Sequence, residues 1–317
     1  MNRSEWMRSL GYTNAGVPMA DKIKEWWGWY TAEGDFYAPD TERSGSKRFK
    51  VSRISMRPAR MVCEDWASLV MNEGTTIGVD GEEGDTEAAI ADAYLQEWIE
   101  SSRFLYHAPH LVERLFALGT AGWALRLEGM VEGAGPSPDA RFVPQRFDAR
   151  HIVPLTFDED DCTEAAFTSS ATVRGERLTQ VQLYRIGERG TYEIHTGLFD
   201  KRGEQKIIDG ITTMVDTGIT TPPFALMRTG LDNTHWDYSP FGVSVFEPAL
   251  GAVQLLDEAL NNTWSDLYLG RKMVFIDEDM LEVDARGNVT VPRAADQQLF
   301  RKVGSGAIGD DKGIAEY

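Results

Sequence analysis

The segment with the strongest catalytic signature is GSGAIG, from Gly304 to Gly309, which has the glycine spacing G-x-G-x-x-G. In a dinucleotide-binding protein this spacing follows a strand and opens a helix, and an acidic residue comes about 20 positions later. Here Asp310 and Asp311 come directly after the last glycine. Their charge lies where a pyrophosphate needs positive potential. We therefore interpret the segment as a glycine loop, and a nucleotide-binding enzyme is the least favoured class.

Other residues that bind metals or act as nucleophiles are dispersed. Asp158 to Asp161 and Asp277 to Asp279 are acidic clusters, but neither has the spacing of a calcium loop, so both are interpreted as solvated turns. His107 and His110 are close in sequence without a third ligand, and we expect them to cap a helix or face solvent. The sequence contains no G-x-S-x-G and no P-loop motif. It predicts no enzyme, no cofactor and no metal site.

Net charge and cysteine content limit the possible classes of function further. With 32 basic and 50 acidic residues, the 317-residue chain carries a net charge of −18. Such a surface repels phosphate, so tight nonspecific binding to nucleic acid is disfavoured. Two interpretations stay open: a soluble acidic surface, or a duct through which DNA slides without adhering. Cys63 and Cys162 are the only cysteines, which excludes a disulfide framework and suits a reducing compartment.

The first residues, MNRSEWMRSLGYTNAG, lack the apolar core of a signal peptide. No run of about 18 apolar residues occurs in the sequence. These two observations predict a protein made in a cytoplasm, without a membrane span.

The first part of the chain has helical patterns. The predicted helices are Asp21 to Tyr30, Ala59 to Asn72, one capped by Asp85 or Thr86, and Pro109 to Leu118. The first of them carries Trp26, Trp27 and Trp29 on more than one face. We expect these rings to belong to the core, the alternative being contact with another subunit.

Strand patterns dominate the middle of the chain. WALRLEG predicts a strand, and Glu132 to Ala140 predicts a loop rich in glycine and proline. From Phe142 onward, HIVPLTFD, EAAFTSSATV, TQVQLYRIG and TYEIHTGLFD alternate apolar and polar residues between turn signals, which predicts an antiparallel meander. A hairpin is predicted at Leu281 to Val291, because DARGN offers Gly287 and Asn288 for positive φ. The predicted class is α+β.

One predicted helix is unusually long. Ser244 and Glu247 have the spacing of a capping box, Pro248 suits a first turn, and Gly270 suits the position after the last turn. The helix between them has about 25 residues and a length of roughly 38 Å. Most helices have three or four turns.

The faces of this helix differ in polarity. One stripe is apolar and consists of Phe246, Leu250, Val253, Leu256, Leu260, Trp264 and Leu267. The opposite stripe is polar and includes Glu247, Gln254, Glu258, Asn261 and Ser265. The helix can therefore pack on neighbours while one face stays in water, although a core helix of a large domain has a similar pattern.

The order of these segments resembles that of siphophage portal proteins. DKIKEWWGWYTAEGDFY resembles the N-terminal helix of that family, and RMVCEDWASLVMNEG resembles the helix that follows. SPFGVSVFEPALGAVQLLDEALNNTWSDLYLGRKMVFID is similar to its glycine-serine entry, its long helix with a central aspartate, here Asp257, and the apolar strand after it. The resemblance covers nearly the whole chain as an ordered series of loose motifs.

The resemblance implies a portal-like architecture. Residues 1–240 would form a wing of helices and antiparallel strands, residues 241–270 a stem helix, and residues 271–317 a small α/β clip with a hairpin. In a ring of such subunits, the polar stripe is the candidate channel-facing surface and the apolar stripe the candidate subunit-packing surface. Portal proteins continue from the clip into a second stem helix, which would begin near the last residues, GIAEY.

The resemblance also implies a function and partners. The protein would form a ring, usually of twelve subunits, at one vertex of a tailed-phage head, through which double-stranded DNA passes non-specifically. The implied partners are further copies of the chain, terminase, a head–tail adaptor, and the major capsid and scaffolding proteins. The location would be the virion, with the host cytoplasm during assembly. The alternative is another virion adaptor or minor capsid protein.

Overall fold

The computed structural model of the chain describes residues 1–13, 16–44, 47–72, 74–82, 85–131, 135–158, 161–208, 212–269, 274–277, 282–283, 289–290, 300–303 and 315–316. The GSGAIG segment lies outside these described residues. The chain divides into two compact units: Met1–Ser52 with Arg57–Val253, and Arg53–Met56 with Gln254–Tyr317. The division into wing, stem and clip stays a prediction.

The first unit begins with helices. They are α1 (Arg3–Ser9), α2 (Ala20–Thr31), α3 (Pro58–Val70), α4 (Thr86–Ser101) and α5 (Phe104–Leu118). The predicted helices at α2, α3 and α4 are confirmed. Asp85 caps α4, because its Oδ1 accepts hydrogen bonds from the N–H groups of Glu87 and Ala88 at 3.0 and 3.1 Å.

Helix α5 starts earlier than the sequence predicts. It begins at Phe104 and contains Pro109 in its interior, so the prediction that it starts at Pro109 is wrong. The proline removes one backbone hydrogen bond. Packing of the first turn offsets this loss, because the Phe104 ring lies 4.8 Å from that of Trp123 and 5.7 Å from that of Trp98.

The predicted meander is confirmed. Five antiparallel strands follow each other in chain order within one sheet: β5 (Ile152–Asp158), β6 (Asp161–Val173), β7 (Glu176–Ile186), β8 (Tyr192–Phe199) and β9 (Met214–Asp216). Along β8 the inward positions Tyr192 and Ile194 are buried, whereas Glu193 between them and His195 after them are less so. The period of two along the strand thus matches the two faces of the sheet.

A second sheet has the order β10 (Phe224–Arg228), β3 (Thr120–Val131), β4 (Gly135–Asp148). The loop predicted at Glu132 to Ala140 is therefore wrong from residue 135 onward, and residues 132–134 lie outside the described residues. Strand β4 is at the edge of the sheet, where Pro136 and Pro138 do not interrupt a central ladder. Two antiparallel strands, β1 (Asp40–Ser44) and β2 (Lys47–Val51), form a separate hairpin.

The core of the first unit joins the helices to both sheets. Trp26 is fully buried there, and Trp27 and Trp29 are partly buried against it, so the prediction that these rings belong to the core is confirmed. The same cluster contains Phe167 of the meander and Phe224 of β10. Their ring centroids lie 5.6 Å apart, which is typical of packed aromatic pairs.

Helix α6 (Leu250–Leu269) begins with the last residues of the first unit and continues into the second. Further described strands of the second unit are β11 (Val274–Asp277), β12 (Glu282–Val283), β13 (Val289–Thr290), β14 (Phe300–Val303) and β15 (Ala315–Glu316). Val283 pairs with Val289 and Glu282 with Thr290 in antiparallel register. The predicted hairpin is thus confirmed for its described residues, and its turn at 284–288 lies outside them. The described chain has the predicted α+β class.

Candidate functional site

The segment before α6 is held by the α5–β3 junction rather than by a helix cap. The N–H of Gly242 donates to Thr120 Oγ1 at 3.0 Å, and that of Val245 donates to the Phe116 carbonyl at 2.9 Å. Gly242 lies so close to Gly119 that a Cβ on Gly242 would be 2.6 Å from the Gly119 carbonyl oxygen. Only glycine permits this approach without displacing the backbone.

This contact corrects the predicted capping box. Ser244 is buried, and its hydroxyl donates to the Phe116 carbonyl at 3.3 Å. Glu247 starts a 3₁₀ turn, Glu247–Ala249, and the α-helix begins only at Leu250. The helix has 20 residues, fewer than predicted, because tertiary contacts use the side chains that the cap would have needed.

Glu247 lies at the centre of a polar cluster beside α2. Its carboxylate accepts a hydrogen bond from the indole N–H of Trp26. It also lies 2.8 Å from His235 Nε2 and 3.7 Å from Lys22 Nζ. Burial raises the pKa of Glu247, but the hydrogen bonds from Trp26 and His235 and the charge of Lys22 outweigh it and hold this pKa below its usual range. Glu247 therefore anchors the start of α6 and is not part of an exposed polar stripe.

Part of the predicted packing stripe belongs to the protein's own core. Phe246 and Val253 are 1% and 6% exposed, and Leu250 packs against the same cluster. Phe246 and Val253 are enclosed by their own chain and Leu250 is partly buried there, so the subunit-packing role predicted for Phe246 and Val253 is corrected and that of Leu250 is reduced. They fasten the first turns of α6 to the first unit.

In its middle, α6 binds the short segment Arg53–Met56 through two polar residues. Asp257 is fully buried and accepts hydrogen bonds from the Ser55 hydroxyl at 2.6 Å and the Met56 N–H at 3.1 Å. One turn later, Asn261 Oδ1 accepts from the Ile54 N–H and its Nδ2 donates to the Ile54 carbonyl, both at 2.9 Å. Asn261 was predicted to face the channel, but its side chain is used in hydrogen bonds within the second unit. Its spacing of four from Asp257 was the signal that could have indicated this.

Replacing Asp257 with alanine should release this segment. The Met56 N–H and the Ser55 hydroxyl lose a charged acceptor, and a hydrogen bond to a charged group contributes about 1.5–3 kcal/mol. We expect hydrogen exchange of the Met56 amide to become faster by roughly one to two orders of magnitude. Asp257→Asn retains one acceptor oxygen and should have a smaller effect. Unchanged protection of Met56 in the alanine variant would contradict the assignment.

From Leu256 onward, most of the apolar stripe is exposed in the single chain. Leu256, Trp264 and Leu267 are 46%, 52% and 67% exposed, and Leu260 is half-buried. Leu255, which the stripe did not include, is 66% exposed and lies about 100° around the helix from Leu256. Several large apolar side chains uncovered on one helix are typical of an interaction surface.

The polar stripe is reduced to three residues with exposed side chains, Gln254, Glu258 and Ser265. Gln254 Nε2 donates to Glu258 Oε1 at 2.8 Å, one turn apart. Such pairs at the surface of a helix contribute only a few tenths of a kcal/mol. These side chains are therefore available to face a water-filled space.

The thiols of the two cysteines are not activated. Burial raises the pKa of Cys63 and raises that of Cys162 to about 11, so both stay thiols at neutral pH. Among the described residues no group of three or more His, Cys, Asp or Glu side chains is placed to hold a metal ion. His107 and His110 both lie on α5 beside Tyr106, with ring centroids 5.0 and 6.0 Å from its ring.

No protein-family model matches the chain, and a search of curated proteins finds no match. In the part of the chain that the structure describes, no helix has both the length and the apolar character needed to cross a bilayer.

Proposed function

We propose that the chain is a subunit of a siphophage-type portal, a ring at the head vertex that conducts DNA and joins head to tail. The observation that carries the proposal is that α6 has a buried beginning and an exposed apolar remainder. Its first turns are fastened to the core of an α+β unit, and its remaining length has the uncovered apolar stripe Leu256, Trp264 and Leu267. The ordered resemblance of the sequence segments supports the same assignment.

A ring requires a heterologous interface, in which one face of each subunit contacts a different face of the next. The apolar stripe supplies one face of α6, and Leu255 lies on another. Full burial of a leucine or tryptophan side chain contributes about 1.5–3 kcal/mol. Copies of α6 standing side by side would bury these residues, and no other described part of the helix is as apolar and exposed.

The acidic charge fits passage of DNA through such a ring. Glu258 repeated in every subunit, together with the net charge of −18, would oppose adhesion of the duplex. Counterions screen this repulsion within about 8–10 Å, so DNA could pass close to the wall without being held. Terminase, the head–tail adaptor, and the capsid and scaffolding proteins are the partners of this function.

The test is the mass of the native particle. Native mass spectrometry of the purified chain at micromolar concentration should show a closed ring with a single, defined number of subunits. A monodisperse monomer at that concentration would contradict the proposal and favour the alternative, an adaptor or minor capsid protein that assembles only on another component.

Lysine substitutions distinguish the roles of Glu247 and Glu258, the two glutamates predicted to face the channel. Glu247→Lys removes the acceptor for Trp26 and His235 and places a second positive charge beside Lys22, so it should destabilise the first unit by about 2–4 kcal/mol. Glu258→Lys makes the same change of charge at an exposed position and should alter stability by less than about 0.5 kcal/mol.

Urea denaturation of the two variants measures this difference. The Glu258→Lys ring should also gain affinity for duplex DNA, and this affinity should fall steeply with salt. A Glu258→Lys variant that binds no more DNA than the parent ring would show that this stripe does not face the channel.

A further inference from the structure

Charge is segregated in the first hundred residues of the chain. Residues 43–60 contain no acidic residue and seven basic ones: Arg43, Lys47, Arg48, Lys50, Arg53, Arg57 and Arg60. Residues 73–102 contain no basic residue and nine acidic ones: Glu73, Asp80, Glu82, Glu83, Asp85, Glu87, Asp92, Glu97 and Glu100. Solubility alone does not require two blocks of opposite charge within about sixty residues, so this segregation suggests that the two blocks take part in an interaction.

The basic block begins in the β1–β2 hairpin (Asp40–Ser44 and Lys47–Val51), which we name the basic arm. The arm carries four basic residues, Arg43, Lys47, Arg48 and Lys50, and two acidic ones, Asp40 and Glu42, so its net charge is +2. Its register places Arg43 directly opposite Arg48, and Lys50 opposite Thr41. Like charges at paired positions destabilise a hairpin, and a hairpin of two strands is at best marginally stable alone in water. A partner that brings negative charge to the arm would therefore stabilise it.

Helix α4 is acidic, in contrast to the basic arm, and most of its residues are exposed. Ile99 is its one buried residue among the 16 from Thr86 to Ser101. Ile90 and Tyr94, one turn apart, are 68% and 72% exposed. Helices in proteins owe most of their stability to packing of an apolar face. The exposed face of α4 thus requires a partner with both apolar and polar atoms.

The described carboxylates on and before α4 are also without ion pairs. Seven acidic residues of the block lie in the described part of the chain, and none of them forms an ion pair there. Asp85 caps the helix, and Asp92 accepts a hydrogen bond from the Val79 N–H. Glu87, Glu97 and Glu100 are exposed. The negative charge of this helix is therefore available to a cation from outside.

We infer that the basic arm of one subunit lies on α4 of the next subunit. This inference rests on the proposed ring and specifies one of its interfaces. The charges of the two surfaces are complementary, and because they are different surfaces of the same chain, each subunit offers one and receives the other, as ring closure requires. A duplex is a less suitable occupant, since the rest of the chain repels it.

Charge reversal on each side, and on both together, tests the inference. The arm variant is Arg48→Glu with Lys50→Glu. The helix variant is Glu97→Lys with Glu100→Lys, whose lysines lie near the C-terminal end of α4, where cations are favourable to the helix. The combined variant carries all four substitutions. The matched control for charge is Glu176→Lys with Glu188→Lys, two exposed positions of the meander, alone and added to the arm variant.

Ring formation is measured by native mass spectrometry and by analytical ultracentrifugation over a range of salt concentrations. The arm and helix variants should each lower the association constant at least about tenfold. The combined variant should restore it, because the reversed charges attract again. The control added to the arm variant has the same net charge as the combined variant and should restore nothing. Assembly of the parent chain should weaken as salt shortens the range of the attraction.

Three results would overturn the inference while leaving the proposed ring in place. Single-side variants that assemble like the parent would show that the two surfaces do not meet. A combined variant no better than the arm variant would show that they act separately. An arm variant with intact rings but weaker binding to a DNA duplex would assign the arm to nucleic acid. A parent chain that stays monomeric would instead reject the ring itself and this inference with it.

Discussion

Replacing Phe246 with alanine should unfold the first unit under mild conditions. Phe246 is 1% exposed and belongs to the cluster that contains Trp26 and Val243. Truncating a buried phenylalanine costs about 3–5 kcal/mol through lost burial and the cavity left behind. Since domains are stable by about 5–15 kcal/mol, this change removes a large part of the total and releases the start of α6.

Urea denaturation, followed by tryptophan fluorescence, measures the effect. Leu256→Ala is the matched control, because it lies in the same segment but is 46% exposed. It should change the free energy of unfolding by less than about 1 kcal/mol. Equal destabilisation by the two substitutions would mean that Phe246 does not fasten α6 to the core.

Replacing Leu256, Trp264 and Leu267 together with serine should abolish the ring and leave the subunit folded. These side chains are already exposed in the single chain, so the fold loses little when they are truncated. In a ring they would be buried at every subunit contact. Losing that burial costs several kcal/mol per contact and lowers the association constant by at least about a hundredfold.

The control removes as much apolar surface elsewhere. Ile186, Ile207 and Met214 lie on or near the meander and are 45%, 83% and 49% exposed. Their triple serine variant should assemble like the parent chain. Circular dichroism verifies that both variants are folded, and native mass spectrometry counts the subunits. If the α6 variant still forms rings, its apolar stripe is not the subunit contact and the proposal loses the observation that carries it.

The local pattern of the sequence determined which segments become helices and strands. The meander follows from alternation of apolar and polar residues, because a strand presents its side chains to two faces in turn. Helices α2, α3 and α4 follow from helical spacing and, for α4, from its cap at Asp85. The hairpin between Glu282 and Thr290 follows from turn residues between two short apolar runs. All of these features depend on residues close together in the chain.

Tertiary structure alone decided which side of each element is covered. On α3 the helical spacing of Val62, Trp66 and Leu69 is real, yet the buried side carries the small residues Cys63 and Ala67. Trp66 and Leu69 are 48% and 70% exposed. Periodicity indicates an apolar face but not how closely a neighbour approaches it. Here α3 packs closely on other helices through its small side chains, and the large ones are left at the surface.

The same limit applies to the long helix. Its sequence shows one continuous apolar stripe and one polar stripe, with Ser244 and Glu247 spaced as a cap. In the folded chain Ser244 instead donates a hydrogen bond to the Phe116 carbonyl, and Glu247 accepts one from Trp26. Both partners are distant in sequence. Asp257 is also buried beneath Ser55. A polar side chain goes to whichever partner satisfies it when water is excluded. That partner lies far away in the sequence, so only the folded chain reveals which part of each stripe stays free.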